Sequence, residues 1–130
     1  MARGRGGMMP FALKIIKALS DQQRLRILML LNGGELCVCQ IVEVLELAPS
    51  TISKHLFLLE NADLITGRKS GRWMYYRLKT KHTKPLSPLL KWLQAVLADD
   101  SQILKDRHTL KKVTSCDPVM LRKRQRNNEK

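Results

Sequence analysis

A short break between two helical patterns is the feature that most constrains how this chain can fold. Residues 36–45 and the segment starting at Pro49 both carry apolar side chains at helical spacing, and Leu47-Ala48-Pro49 marks the break. Pro49 suits the first position of the second helix, which is expected to extend to about residue 61, because proline's φ is already helical. Two helices joined by so short a turn, the second with a small polar outer face, are typical of a helix-turn-helix.

The polar face of the second helix predicts contact with DNA. In a helix-turn-helix the second helix enters the major groove, where short side chains near its N-terminus let the backbone approach phosphates and base edges. The side chains on this face are Ser50, Thr51, Ser53, Lys54 and Phe57. An amphipathic surface helix without a partner would show the same pattern, so the segments that follow decide between the two interpretations.

Two strand-like segments follow, joined by a basic turn. Residues 64–68 and 73–78 are rich in β-branched and aromatic residues, and residues 69–72 (Lys-Ser-Gly-Arg) supply the turn. Lys69 and Arg72, with Arg68 and Arg77 beside them, suit a hairpin that lies along DNA phosphates or enters a minor groove. A helix-turn-helix followed by a basic hairpin predicts a winged helix, a mainly α (α+β) fold with a two-stranded wing.

Helical patterns also flank this unit. Residues 11–19 form one pattern, and Ser20 with Gln23 predicts a capping box that opens a second helix ending near residues 32–34. A leucine-rich stripe near the other end either packs on its own domain or forms a helical dimer interface, which the first helix could join through Ile15 and Ile16. We call the second helix of the helix-turn-helix, from Pro49 to about residue 61, the reading helix. A two-fold dimer would place its two reading helices about one DNA turn apart, which predicts inverted-repeat half-sites. The stripe consists of Leu86, Leu89, Leu90, Trp92, Leu93 and Leu97.

Positive charge is concentrated in particular segments. The formal net charge is +13, and residues 66–84 hold seven basic and no acidic residues. Such clustering indicates a polyanionic partner, of which nucleic acid is the commonest. We divide the chain into a basic N-terminal segment (1–10), a winged-helix DNA-binding and dimerisation domain (11–104) and a basic tail (105–130). Beyond about residue 114 the tail is expected to be poorly ordered and to add sequence-independent affinity.

Several classes of protein are disfavoured by the sequence. No apolar run approaches the roughly 18 residues of a transmembrane helix, and the N-terminus lacks a secretory signal. The chain shows no paired carboxylates in a plausible pocket, no Ser/His/Asp arrangement and no phosphate-binding glycine loop, so neither an enzyme nor an organic cofactor is expected. Three cysteines make a poor disulfide framework and favour a reducing cytoplasm.

Two of the cysteines are candidate metal ligands. Cys37 and Cys39 lie in the sequence Glu-Leu-Cys-Val-Cys, and thiolates select thiophilic ions. On a regular helix, residues i and i+2 point about 200° apart, so both sulfurs could bind one ion only if the helix start unwinds. That distortion would couple the ligand to the reading helix. The alternative is a pair of buried, inert cysteines.

Several motifs in the right order resemble the ArsR/SmtB family of metalloregulatory repressors. The cysteine box is similar to the arsenical-sensing branch, which implies that Cys37 and Cys39 bind trivalent arsenic or antimony. The resemblance further implies a homodimer that represses a resistance operon and leaves double-stranded operator DNA when the metalloid binds. It places Ser50, Thr51, Ser53, Lys54 and His55 on the reading helix. The motifs are Ser20-Asp21 with residues 24–28 (Arg-Leu-Arg-Ile-Leu), residues 35–39, residues 50–56 (Ser-Thr-Ile-Ser-Lys-His-Leu), and residues 71–73 with 75–78.

One departure from the family concerns the third ligand of trivalent arsenic. The family prototype has a third cysteine where this chain has Val42. Cys116 is the remaining thiol, and it could fold back from its own chain or reach across the dimer. An unpaired tail thiol is the alternative for Cys116. A site of two thiolates would suit methylated trivalent arsenic, or a small ligand would fill the third position.

Other effectors fit the sequence less well. A cadmium or lead site similar to other members of the family would need thiols near the N-terminus, and residues 1–10 have none. A zinc site on the last helix lacks a second nearby histidine, so solvated charge is expected for Asp99, Asp100, Asp106 and His108. A thiol-based redox regulator on the same fold and a constitutive DNA-binding protein are the competing functions.

Overall fold

The computed structural model describes residues 7–79, 86–114, 121 and 125–126. The order of elements confirms the predicted winged helix-turn-helix, with the hairpin directly after the second helix of the motif. The helices are α1 (Met8–Leu19), α2 (Gln22–Leu31), α3 (Val38–Leu45), α4 (Pro49–Asn61), α5 (Ser87–Leu97) and α6 (Ser101–Thr114), and the strands are β1 (Leu36–Cys37), β2 (Ile65–Ser70) and β3 (Trp73–Leu78).

The start of α2 differs by one residue from the prediction. Asp21, not Ser20, caps this helix, because its carboxylate accepts the backbone N–H groups of Gln23 at 2.8 Å and Arg24 at 3.2 Å. Ser20 instead follows the end of α1. The predicted capping box at Ser20 and Gln23 is therefore wrong, and a carboxylate takes the place of the hydroxyl.

The sheet has three strands in the described residues, not the two that were predicted. β2 and β3 form the antiparallel hairpin, and β1 pairs with the other edge of β3, giving the order β1-β3-β2. Leu36 lies opposite Tyr76, and Cys37 lies opposite Tyr75. The prediction that the third helix begins at Leu36 is wrong, because these two residues pair with the wing before the helix starts at Val38.

The core lies between the helix-turn-helix and the base of the wing. Side chains of α2, α3 and α4 are fully buried there with the start of β2. The predicted inward residues Ile52, Leu56 and Leu59 are all among them. The reading helix is thus fixed by its apolar face, and its polar face is left to the outside.

Helix α6 packs on α3 and α2 and crosses the predicted domain boundary at residue 104. Asp106 is buried, and its two oxygens accept hydrogen bonds of 2.8 Å each from Nε and Nη2 of Arg26. The expectation that Asp106 is solvated is wrong, because Arg26 supplies a compensating charge inside the protein. Leu121 is also fully buried in the core, so the expected loose order of the tail does not hold for this residue.

The leucine stripe of α5 divides into two faces. Leu86, Leu90 and Leu93 are buried in their own domain, whereas Trp92 is exposed over 59% of its surface. On α1, Ile15 is buried and Ile16 is exposed. Helices α1 and α5 therefore each bury one apolar face in the domain and expose a second one to solvent. None of the helices in the described residues is long and apolar enough to cross a membrane.

Candidate thiol site and nucleic-acid interface

The two neighbouring cysteines lie sulfur to sulfur. The Cys39 thiol donates to the Cys37 sulfur across 3.0 Å, and both residues are buried. Cys37 is the N-cap of α3 with an extended backbone (φ −72°, ψ 148°), and Cys39 lies in the first turn of that helix. The expectation that the sulfurs diverge unless the helix unwinds is therefore wrong, because Cys37 precedes the helix and is not bound by its 100° step.

The surroundings of the pair favour the protonated thiol. The hydrogen bond to Cys37 and burial raise the pKa of Cys39 above its usual range, because an ionised sulfur there would be poorly solvated and beside a second sulfur. The Cys37 backbone N–H donates to Oε1 of Gln40 at 2.8 Å, which fixes the start of α3. The Cys39 thiol thus keeps its proton and is held against the Cys37 sulfur.

The cysteine pair opens on a cavity shared with the predicted DNA-binding elements. This cavity has a volume of about 510 Å³ and is lined by both cysteines, by Ser53 and Phe57 of α4, and by residues of the wing. The two sulfurs therefore share one cavity with the reading helix and the wing. The wing residues are Arg72, Trp73, Met74 and Tyr76.

The wing is tied to the segment that leads into Cys37. Nε and Nη2 of Arg68 donate to the two carboxylate oxygens of Glu35 at 2.8 and 2.6 Å. This hydrogen-bonded guanidinium lowers the pKa of the Glu35 carboxyl. The guanidinium also lies 4.9 Å from the centre of the Tyr75 ring, and Tyr75 is the partner of Cys37 in the sheet. Arg68 of β2 thus contacts Tyr75 of β3 and Glu35, the residue just before β1.

Two basic side chains lie at the tip of the wing. Lys69 and Arg72 are exposed, and the guanidinium of Arg72 lies 5.4 Å from the ring centre of Trp73. All four predicted basic residues of the wing are exposed, and Arg68 is in addition hydrogen-bonded to Glu35.

The reading helix presents four of its five predicted residues outward. Ser50, Thr51, Ser53 and Lys54 are exposed on α4. His55 is half-buried, and its Nδ1 lies 3.3 Å from Nη1 of Arg24. Arg24 also donates to the carbonyl oxygens of Ala18 at 2.6 Å and Lys17 at 3.1 Å, so it joins α1, α2 and α4. The role of Arg24 was not predicted from the sequence, since its partners are set by the tertiary fold.

A second residue without a predicted role contacts the thiol site. Nε2 of Gln125 donates to the Cys39 carbonyl oxygen at 2.8 Å and lies 3.3 Å from Oε1 of Glu43. No local pattern could have indicated this contact, because 86 residues separate Gln125 from Cys39. Cys116 lies outside the described residues. Among the described residues, no group of three or more His, Cys, Asp or Glu side chains is placed to hold a metal ion.

Comparison with known proteins identifies relatives of this architecture. Residues 21–66 match the family described as bacterial regulatory protein, arsR family. The chain is 43% identical over 74 residues to a cadmium resistance transcriptional regulatory protein, a CadC homolog of Staphylococcus aureus, covering 56% of this chain and 61% of that protein. It is 37% identical over 93 residues to the arsenic resistance transcriptional regulator ArsR2 of Pseudomonas putida, covering 71% and 78%. The chain thus spans about three-fifths of the length of the first of these relatives.

A solved structure has a similar fold. It is the solution NMR structure of the homodimeric winged helix-turn-helix DNA-binding domain of a possible ArsR-family transcriptional regulator from Mycobacterium bovis. The TM-score is 0.63 at 27% sequence identity, and the match covers 75% of this chain and 87% of that one.

Proposed function

Because this chain belongs to the ArsR family of bacterial regulatory proteins, we propose that it is a homodimeric repressor that leaves its operator DNA when trivalent arsenic or antimony binds Cys37 and Cys39. The observation that carries the proposal is the position of Cys37. This one residue supplies a sulfur to the pair, caps α3 and pairs with Tyr75 of the wing. A ligand on the pair therefore acts on two elements of the DNA-binding unit through a single backbone.

A small displacement of the sulfurs is enough for this mechanism. With the zinc–thiolate bond of about 2.3 Å as a guide, two sulfurs on one ion are held about 3.3–3.8 Å apart. The sulfurs of Cys37 and Cys39 are 3.0 Å apart, so ligand binding separates them. Packed cores and paired strands respond to such shifts by changing between discrete arrangements rather than by bending gradually. We expect β1 to move against β3 and so to turn the wing relative to α4.

DNA binding is assigned to two surfaces. Ser50, Thr51, Ser53 and Lys54 of α4 would lie in the major groove, and Lys69 and Arg72 at the tip of the wing would contact phosphates or the minor groove. We assign supporting roles to His55 and Arg68, since each is held by another side chain of the same domain. Both residues would position the DNA-binding elements and contact DNA only secondarily.

The homodimer is assigned to the open apolar faces of α1 and α5. Ile16 and Leu13 on α1, with Trp92 and Val96 on α5, are large apolar side chains exposed to solvent. Exposed apolar residues clustered on two helices mark an interaction surface. The homodimeric state of the structural relative supports the same assignment. A two-fold dimer requires an operator with two inverted half-sites.

The third position on the metalloid is assigned to Cys116 of the same chain. Support comes from the described residues that follow it, because Leu121 is buried in the core and Gln125 contacts the Cys39 backbone. The chain thus returns to the thiol site after Cys116. A cysteine that reaches across the dimer is the competing arrangement. A mixture of Cys116→Ser protomers with Cys37→Ser/Cys39→Ser protomers separates the two, because the mixed dimer has a complete three-thiolate site only if Cys116 reaches across.

The proposal is tested by titrating arsenite into the complex of the protein with the DNA upstream of its own gene. Fluorescence anisotropy of the labelled DNA measures release. We expect the affinity for DNA to fall about 5–150-fold, the usual range of allosteric coupling. Cys37→Ser and Cys39→Ser should bind DNA normally and show no release. An unresponsive wild-type protein that prefers no sequence at matched salt would instead indicate a constitutive DNA-binding protein.

A redox regulator is the second candidate, and the short distance between the sulfurs favours it. Peroxide would oxidise both thiols to a disulfide and give two waters, which shortens the 3.0 Å contact to a bond of about 2.05 Å. This change draws the sulfurs together, whereas a metalloid separates them. Release by peroxide in the absence of any metalloid, with no release by arsenite, would favour this function.

A further inference from the structure

We propose that Arg126, in the C-terminal segment, binds a phosphate of the DNA backbone that crosses the cavity between α4 and the wing. The proposal rests on the DNA-binding surfaces assigned above, to which it adds a third element, and it does not depend on a metalloid. Three observations carry it. The C-terminal segment is docked on the domain, Arg126 lines the cavity, and the backbone of a bound duplex has to pass there.

Two described residues dock the C-terminal segment. Leu121 is fully buried in the core, and Nε2 of Gln125 donates to the Cys39 carbonyl oxygen at 2.8 Å. The same amide nitrogen lies 3.3 Å from Oε1 of Glu43, so both of its contacts are with α3. A basic tail in free solvent has no preferred place on the domain. Because Arg126 directly follows Gln125, its position is instead set by the helix-turn-helix itself.

The side chain of Arg126 is exposed and lines the cavity that contains the cysteine pair. Ser53 and Phe57 line this cavity from the reading helix, and Arg72 lines it from the wing. Among the described residues that line it, Glu60 is the single acidic side chain. The two guanidinium groups therefore give the cavity a net positive charge, which suits an anionic ligand.

A duplex bound in the assigned orientation passes a backbone through this cavity. The reading helix occupies the major groove, and the wing contacts the phosphates or the minor groove next to it. A sugar–phosphate backbone separates the two grooves of a duplex, so one strand has to run between the reading helix and the wing. A guanidinium group binds phosphate through two parallel hydrogen bonds and keeps its charge at every physiological pH. Arg126 thus has both the position and the chemistry to bind that strand beside Arg72.

The test measures how DNA affinity depends on salt, in the absence of any metalloid. Fluorescence anisotropy follows a labelled duplex of the upstream DNA between about 50 and 200 mM salt, where each phosphate contact contributes about 0.9 to the slope of log affinity against log salt. A dimer carries two copies of Arg126. Arg126→Gln should therefore reduce the slope by about 1.8 and weaken binding about 30-fold at about 0.15 M salt, whereas Arg126→Lys should keep the slope because it keeps the charge.

Arg107→Gln is the matched control for lost charge. Arg107 is an exposed arginine of α6 that does not line the cavity, so its replacement should change the slope by much less. Gln125→Ala then separates a docked arginine from a loose basic tail, because it removes the contacts with α3 and no charge. We expect it to weaken DNA binding several-fold when Arg126 is present and to have no further effect in the double variant with Arg126→Gln.

Three results would overturn the inference. One is an equal change of slope in Arg126→Gln and Arg107→Gln, which would show that only the net charge matters. Another is tighter DNA binding by Arg126→Gln, which would show that the segment obstructs the cavity. The third is a Gln125→Ala variant that binds DNA like wild type, or that weakens Arg126→Gln further. Release of DNA by arsenite is measured separately, so the metalloid response of the proposed function can hold or fail independently of all three.

Discussion

The buried ion pair between Arg26 and Asp106 predicts that α6 is part of the cooperative fold. Both side chains are almost inaccessible, with 12% and 4% of their surfaces exposed. Gln102 donates a further hydrogen bond of 2.9 Å to Asp106, and Arg26 donates to Gln23 at 2.8 Å. Replacing Asp106 by alanine leaves the Arg26 charge buried without its carboxylate. The expected loss of stability is about 3–5 kcal/mol.

That loss is large for a chain of 130 residues. The unfolding entropy near the transition is about 0.27 kcal/mol/K for this length, so the midpoint should fall by roughly 11–18 °C. Thermal and urea unfolding by circular dichroism measure the change, at one protomer concentration because dimer dissociation is linked to unfolding. The double variant Arg26→Met with Asp106→Leu should recover most of the loss, because apolar side chains of similar size replace a buried pair at little cost.

An exposed ion pair provides the control. Lys79 and Asp63 are 3.0 Å apart at the surface, and Lys79→Met should cost about 0.2–1 kcal/mol. If Asp106→Ala falls in that same range, α6 is not held by the pair and the division of the chain at residue 104 becomes the better description. A double variant less stable than Asp106→Ala would also contradict this explanation. It would show that the loss of stability does not come from the unpaired Arg26 charge that Asp106→Ala leaves buried.

Three further predictions follow from single contacts. Partial burial alone would raise the pKa of Asp21, but hydrogen bonds from backbone N–H groups in the first turn of α2 lower it. Asp21→Ala should therefore cost about 1 kcal/mol at neutral pH. Urea unfolding should show this difference from wild type shrinking as the pH falls below about 4, and a difference that persists in acid would contradict the capping role. Gln125→Ala should let Ellman's reagent react with Cys39 several-fold faster, because the Gln125 side chain contacts the Cys39 backbone. Gln94→Ala removes a surface hydrogen bond elsewhere and should react at the wild-type rate. Equal rates in the two variants would show that Gln125 does not shield Cys39. Calorimetry should find that cadmium affinity rises between about pH 6 and 8, because each ion displaces thiol protons, while arsenous acid, whose hydroxides leave as water, binds with nearly constant affinity.

Local chemistry made the DNA-binding elements predictable from the sequence. The predicted second helix of the motif coincides with α4 at both ends, because Pro49 fixes its start and the apolar spacing continues to its last turn. The β-branched and aromatic runs likewise located the two wing strands within two residues of their observed bounds. In each case the residues that specify the element lie within it, so no distant contact was needed.

The thiol site could not be derived in the same way. β1 has only two residues, too few to show a period, and Leu36 and Cys37 pair with β3 about forty residues further along the chain. Helical spacing therefore assigned Cys37 to α3 and separated the two sulfurs. Asp106 was misjudged for a related reason, because its partner Arg26 is 80 residues away and nothing near Asp106 in the sequence indicates burial.

The corrected position of Cys37 also changes how the free energy of ligand binding can be used. If both cysteines lay on the helix, part of that energy would break backbone hydrogen bonds in the first turn of α3, at about 0.5–1.5 kcal/mol each. In the observed arrangement the sulfurs already touch, and Gln40 holds the helix start in place. The binding energy then acts on the contact between β1 and β3, where Cys37 is opposite Tyr75. A shift of a few tenths of an ångström there needs to favour the DNA-free arrangement by only about 1–3 kcal/mol to produce a regulatory response.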